Sequence, residues 1–417
     1  DEWVPDGVNG PHLRVTERVR KAEVGRIIDE LICRGRPPTR LPPARLPPRA
    51  RDVSAEEFLA KRVCITDTVR FTAANGCVSC VDPEHAFVYS AHIASRDGHG
   101  ENPHVLALAR VPVAQPWRAQ SWVLAERGVP LKGGKTYGIL YDYFNVMHGG
   151  KVRTYCLGDA DEFFYIDFDP DSEAVEPERP VLCRWGGGAA VPLTSAALGK
   201  YLSESGMGGF DLYVEKNEHL ISAARPVWRD GGFYGTVTSP QSQPVVFHCK
   251  DDETFEFVGV IPAVCRYECP LAELNGVMYA LLRQVEDGKP NFWTSRDRGR
   301  TWKPAGTVPH GTCRPQLLAW KGRLLIAYSQ AGLEPNRVRP SRNNMIILRG
   351  EGEDLSKYEE VFRVVDPLGF VQYDLVDYKG RLLCIWSNSE LYPDKPQKWC
   401  NGLQGKDALF MSWLDGL

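Results

Sequence analysis

Residues able to do chemistry are spread through this 417-residue chain, and most local groupings fall short of a site. Cys77-Val-Ser-Cys80 has the spacing of half a zinc knuckle, but no second Cys pair or His pair lies at a distance that would complete four ligands. Buried thiols or a disulfide are expected there, with no metal and no cofactor. Twelve cysteines in so long a chain do not make a disulfide scaffold. Gly186-Gly-Gly188 lacks a following Lys-Ser/Thr and reads as a loop, without a phosphate cradle. The nine histidines show no ligand spacing, and His99 and His148 read as surface-loop positions. Residues 34–51 carry six Arg, three Pro-Pro pairs and no acid, a pattern that favours extended polyproline II. No aromatic residue interleaves those arginines for base stacking, so a semi-rigid strap is expected and no nucleic-acid partner. What remains is carboxylates, arginines and tyrosines. Singly, each has a structural reading: Glu268 or Glu273 capping a strand, Arg342 pairing with a surface carboxylate, Tyr373 packing between sheets.

Such scattered groups need a scaffold that gathers distant segments. With 43% apolar and 25% charged residues and a net charge of -3, the chain must bury a core and is neither disordered nor collagen-like. Its 39 Gly, 31 Pro and 11 Trp favour turns and aromatic-rich strands over long helices. No apolar run approaches the roughly 20 residues of a transmembrane helix, so no membrane span is expected. Residues 1–52 stand apart. Val15, Val19, Ile27, Ile28, Leu31 and Ile32 fall near helical spacing, predicting an amphipathic helix over 16–33 ahead of the strap. That apolar face must dock, and a second copy of the chain, giving a homo-oligomer, is one candidate.

From residue 53 to 417 the texture repeats. Residues 271–283, 316–329 and 373–387 are three versions of one hairpin, and weaker versions surround Gly76, Gly149 and Gly231-Gly232. Six hairpin centres predict six blades of four strands, an all-β six-bladed β-propeller with an N-terminal helical extension. A final strand at 408–414 is expected to close the ring and leave no open edge.

Ser295-Arg-Asp297-Arg-Gly299-Arg-Thr301-Trp302 fits the Asp-box pattern Ser-x-Asp-x-Gly-x-Thr-Trp at every defined position. Physically it is a turn: Gly299 supplies an unusual backbone conformation, Asp297 and Ser295 can bond turn amides, and Trp302 can plug between sheets. Segments 248–255 and 351–358 keep only its aromatic end. With this box, the chain over 60–417 resembles the sialidase (neuraminidase) superfamily. Glu268-Cys-Pro-Leu-Ala-Glu273-Leu looks like the strand with the catalytic glutamate, and Arg283 like the arginine at the following strand end. Arg342-Asn-Asn-Met-Ile-Ile-Leu resembles the strand of the third arginine, and Tyr373-Asp-Leu-Val that of the nucleophilic tyrosine. Arg96-Asp97-Gly-His-Gly-Glu resembles the acid/base loop. The first arginine departs from the family's Arg-Ile-Pro, and Arg70 in Val-Arg-Phe-Thr is its best counterpart.

The resemblance implies a retaining exo-α-sialidase acting on sialylated glycans or glycoproteins. Arg70, Arg283 and Arg342 would hold the sugar's carboxylate, Asp97 would be acid/base, Tyr373 the nucleophile and Glu268 its base. An alternative is hydrolysis or transfer of a related 2-keto-3-deoxy sugar acid, because selectivity lies in loops. Another is a non-catalytic carbohydrate-binding propeller, since Asp boxes occur in such proteins too. A secreted or periplasmic location is expected from the substrate class, with no signal peptide visible in the sequence.

Overall fold

A computed structural model describes residues 2–6, 10–14, 58, 61–65, 72–76, 79–95, 104–127, 141–157, 163–207, 225–238, 243–250, 253–265, 268–283, 289–308, 315–329, 344–365, 372–387, 409–414 and 417. Six antiparallel sheets follow one another along the chain as the blades of a propeller. Their innermost strands are Thr72–Gly76 in blade 1, Tyr141–His148 in blade 2, Val227–Arg229 in blade 3, Leu271–Leu274 in blade 4, Gln316–Trp320 in blade 5 and Gln372–Tyr378 in blade 6.

Local turn chemistry makes the inner hairpins. In blades 2 to 6 the turn is a pair of residues with positive φ: Gly149-Gly150, Asp230-Gly231, Asn275-Gly276, Lys321-Gly322 and Lys379-Gly380. This geometry matches the right-handed twist of the strands it joins. Glu273 and Asp377 brace two of these turns, accepting hydrogen bonds from the Gly276 and Gly380 amides at 2.8 Å each. Blade 1 differs from the sequence expectation. Gly76 ends the innermost strand, and the turn is formed after Cys80–Asp82, where Asp82 accepts from the amides of Glu84 and His85 at 3.1 and 3.2 Å.

Ring closure also differs. Leu409–Trp413 is the third strand of blade 6, and its outer neighbour is the N-terminal pair Val63–Cys64. Closing the ring in this way joins segments from far apart in the chain in one sheet and covers the edge that 409–413 would otherwise expose. Phe58, just upstream, is buried against Trp386 and Phe362. Of residues 1–52 the structure describes a hairpin of Glu2–Asp6 with Gly10–Arg14. The helix expected at 16–33 and the strap at 34–51 lie outside the described residues.

The apolar core is divided into six clusters, one at each junction between neighbouring blades. This follows from alternation, since each strand presents side chains to both faces of its sheet and both faces are covered by neighbouring blades. An insertion between blades 2 and 3 adds Leu182–Arg184, which pairs in parallel with the outermost strand of blade 3, Thr254–Val260. The helix Ser195–Glu204 follows, capped by the Thr194 hydroxyl accepting from the Ala197 amide at 3.2 Å and buried along Leu198 and Leu202. Among the described residues no helix is long and apolar enough to cross a membrane.

The segment 295–302 forms a self-bonded turn in blade 4. Asp297 accepts from the Ser295 hydroxyl at 2.8 Å and from the Thr301 amide and hydroxyl at 2.9 and 2.6 Å. Burial opposes ionisation of Asp297, but these donors outweigh it and hold the carboxyl below its usual range. The Trp302 indole donates to the Gly299 carbonyl at 3.0 Å and packs at the blade 3–4 junction. At Gly259 of blade 3 a Cβ would stand 2.1 Å from the Gly299 carbonyl oxygen, so turn and strand touch through backbone. The related segments join the third and fourth strands of blades 3 and 5, burying Phe255 and Tyr358.

Candidate active site

Antiparallel pairing puts the start of each innermost strand beside the end of the second strand, so both open at one end of the ring. In blade 4 the pairing Leu271 with Ala280 continues outward. The Leu281 amide donates to the Pro270 carbonyl at 3.1 Å and the Arg283 amide to the Glu268 carbonyl at 3.2 Å. This places Glu268 and Arg283 opposite one another, and their side chains meet. Arg283 Nη1 lies 2.7 Å from Glu268 Oε1 and 2.5 Å from Oε2, with side-chain exposures of 9% and 5%. Two charges this deeply buried are held by each other as well as by hydrogen bonds. The Cys265 Sγ lies within hydrogen-bond reach of the carbonyls of both residues, at 3.6 Å from Glu268 and 3.4 Å from Arg283. Burial pushes the neighbouring Cys269 thiol up, so it stays protonated.

Tyr373 is the second residue of the innermost strand of blade 6 and pairs with Trp386. The residue is 2% exposed and lies in the blade 5–6 cluster with Phe362, Val364 and Trp386. The structure therefore brings Glu268 and Arg283 into contact and sets Tyr373 in the wall of another blade. Arg70, Asp97 and Arg342 lie outside the described residues. Each is two residues along the chain from a described strand end: the start of Thr72–Gly76, the end of Phe87–Ser95 and the start of Asn344–Gly350. Those strand ends open on the same end of the ring as Glu268 and Arg283.

A second buried polar cluster has no counterpart in the sequence reading. Asp374, next to Tyr373, accepts from the Ser79 amide at 2.7 Å and from Arg225 Nη2 at 2.6 Å, and Arg225 Nη1 donates to the Ser79 carbonyl at 3.3 Å. Three blades, 6, 1 and 3, meet in it. The signal that could have found it is the repeat itself: Arg225 and Asp374 each stand five residues before the first turn residue of their hairpin.

Among the described residues no His, Cys, Asp and Glu group could hold a metal ion, and seven cysteines, Cys80 and Cys265 among them, are buried. Cys77 and His99 lie outside the described residues, and His148 is exposed on the blade 2 turn.

No family model and no curated protein matches the chain. Solved structures do. A Trypanosoma rangeli sialidase mutant displaying trans-sialidase activity is similar with a TM-score of 0.54 and 10% identity, over 85% of this chain and 59% of that one. A Hadza microbial sialidase gives 0.53 at 12% identity over 82% and 66%, and the phage phi92 endosialidase 0.52 at 10% over 84% and 68%. The chain thus spans little more than half the length of the trypanosomal enzyme. At this identity the likeness is one of fold: a six-bladed propeller of sialidase architecture.

Proposed function

We propose that the chain is a sialidase-type glycosidase, a retaining exo-α-sialidase releasing terminal sialic acids from glycans or glycoproteins. The observation that carries the reading is the buried Glu268–Arg283 pair, with Tyr373 near the start of the innermost strand of blade 6, which opens on the same end of the ring. Sialic acid bears its carboxylate on the anomeric carbon. Arginine forks bind such an anion through paired, charge-assisted hydrogen bonds worth roughly 1.5 to 3 kcal/mol each. Arg283 would share its guanidinium between Glu268 and the sugar acid, and Arg70 and Arg342 would complete the grip.

The same anion favours a phenol as nucleophile. A carboxylate approaching the anomeric carbon would meet the substrate carboxylate at a cost of about 4 kcal/mol at 4 Å and an effective dielectric near 20. A neutral tyrosine avoids this, yet only about one phenol in a thousand is ionised at neutral pH, so it needs a base. In the proposed sequence Glu268 takes the proton of Tyr373 as its oxygen bonds to the anomeric carbon. Asp97 gives its proton to the departing glycosidic oxygen. A water then attacks the same carbon, Asp97 takes a proton from it, and the phenolate leaves and regains its proton from Glu268.

A second reading, a non-catalytic carbohydrate-binding propeller, is favoured by the depth of the Tyr373 ring within the blade 5–6 core. One experiment separates the two. The protein is incubated with a panel of aryl and natural sialosides, and Tyr373→Phe is run beside it. Release of sugar acid that falls at least about a thousandfold in the variant supports the nucleophile. Release that survives in Tyr373→Phe removes that role, and no release from any sialoside leaves the binding reading.

A further inference from the structure

The Arg225, Asp374 and Ser79 cluster plays no part in the chemistry above, and its placement gives it another role. Arg225, Gln316 and Asp374 each lie five residues before the first positive-φ residue of their hairpin turn, in blades 3, 5 and 6. Of these, Arg225 and Asp374 meet in one cluster. Ser79 of blade 1 joins it through its bonds to Asp374 and Arg225. Blades 3 and 6 are opposite one another in a ring of six, and the 2.6 Å ion pair between Arg225 and Asp374 therefore spans it.

Asp374 directly follows Tyr373, and consecutive strand residues face opposite sides. Asp374 turns towards blade 1, where it meets the Ser79 amide, and Tyr373 to the blade 5–6 core. Any rotation of this strand about its own direction moves both. Arg225 opposes such rotation with two nitrogens on two blades, a planar fork that a lysine ammonium cannot reproduce.

We propose that Arg225 is a positioning residue: it holds the innermost strand of blade 6 from across the ring and thereby sets where Tyr373 stands. The catalytic consequence rests on the reading of Tyr373 as nucleophile; the positional one does not.

The full chain labelled with 3-fluorotyrosine tests both by fluorine NMR, the resonance of residue 373 being assigned by its loss in Tyr373→Phe. Arg225→Met and Asp374→Asn should each shift or broaden that resonance. The double variant should move it no further than the larger single change, and Arg225→Lys should return it part of the way. Arg153→Met, which breaks the buried Arg153–Asp167 pair of blade 2, is the control and should leave it in place. On an aryl sialoside Arg225→Met should lower kcat about tenfold to a hundredfold with little change in KM, as expected when a reacting group is misplaced while binding is kept. An unmoved resonance in Arg225→Met and Asp374→Asn, or an equal shift in Arg153→Met, overturns the proposal. Should Arg225→Met fail to fold, Arg225→Lys and Asp374→Asn carry the same comparison. Should the unaltered protein release no sugar acid, the enzymatic reading fails and the resonance alone decides the role of Arg225.

Discussion

Replacing Glu268 by Gln keeps the shape of the side chain and removes its charge, leaving the Arg283 guanidinium buried without its carboxylate. Both side chains are under a tenth exposed, so solvent offers little compensation, and breaking such a pair costs about 3–5 kcal/mol. Arginine does not shed its proton, so this cost should be the same from pH 5 to pH 8. Arg283→Met should behave differently. The stranded Glu268 can take up a proton, and its penalty should shrink as the pH falls across that range. The double variant buries no charge and should be more stable than Glu268→Gln. Urea unfolding followed by tryptophan fluorescence and circular dichroism, where the two transitions coincide, reads these differences. A Glu268→Gln penalty under about 1 kcal/mol, the value typical of a solvent-exposed pair, would refute the argument that the hairpin register traps these charges together. So would equal pH dependence of the two single variants.

Other outcomes can be checked in parallel. Trp302→Ala opens a cavity at the blade 3–4 junction and should destabilise by about 3–5 kcal/mol, whereas Trp302→Phe should cost much less, losing chiefly the indole bond to Gly299. Thermal unfolding of the two variants gives the comparison, and equal losses would contradict it. Removing residues 1–65 takes away Phe58 and the ring-closing strand Val63–Cys64 and should lower Tm far more than removing residues 1–52, with aggregation through the uncovered edge of blade 6. Burial holds the imidazole of His92 down at about 4. The unfolded chain therefore binds a proton between pH 6.5 and 4 that the folded one refuses, so stability is full above pH 6.5 and falls on acidification, by about 3 kcal/mol in all. His92→Leu should flatten that part of the stability profile, as measured by urea midpoints at pH 7, 5.5 and 4.5.

Features set within a few residues were legible in the order of amino acids. The pairs ending in Gly150, Gly231, Gly276, Gly322 and Gly380 turn because few other residues accept such backbone angles, so their recurrence marked five of the six blades. The bonds of the 295–302 turn likewise join residues no more than four apart. The meeting of Glu268 and Arg283 needed only the register of one hairpin. Longer-range decisions belonged to packing. Gly76 reads as a turn but ends a strand, because Asp82 caps the turn that follows it. The two-residue strand Val63–Cys64 is too short to announce itself, and only the open edge at Leu409–Trp413 gives it a place. The direction faced by Tyr373 depends on which blades enclose its sheet. The Arg225–Asp374 bond joins residues 149 apart, a pairing that exists only once the ring has closed and brought opposite blades to a common axis.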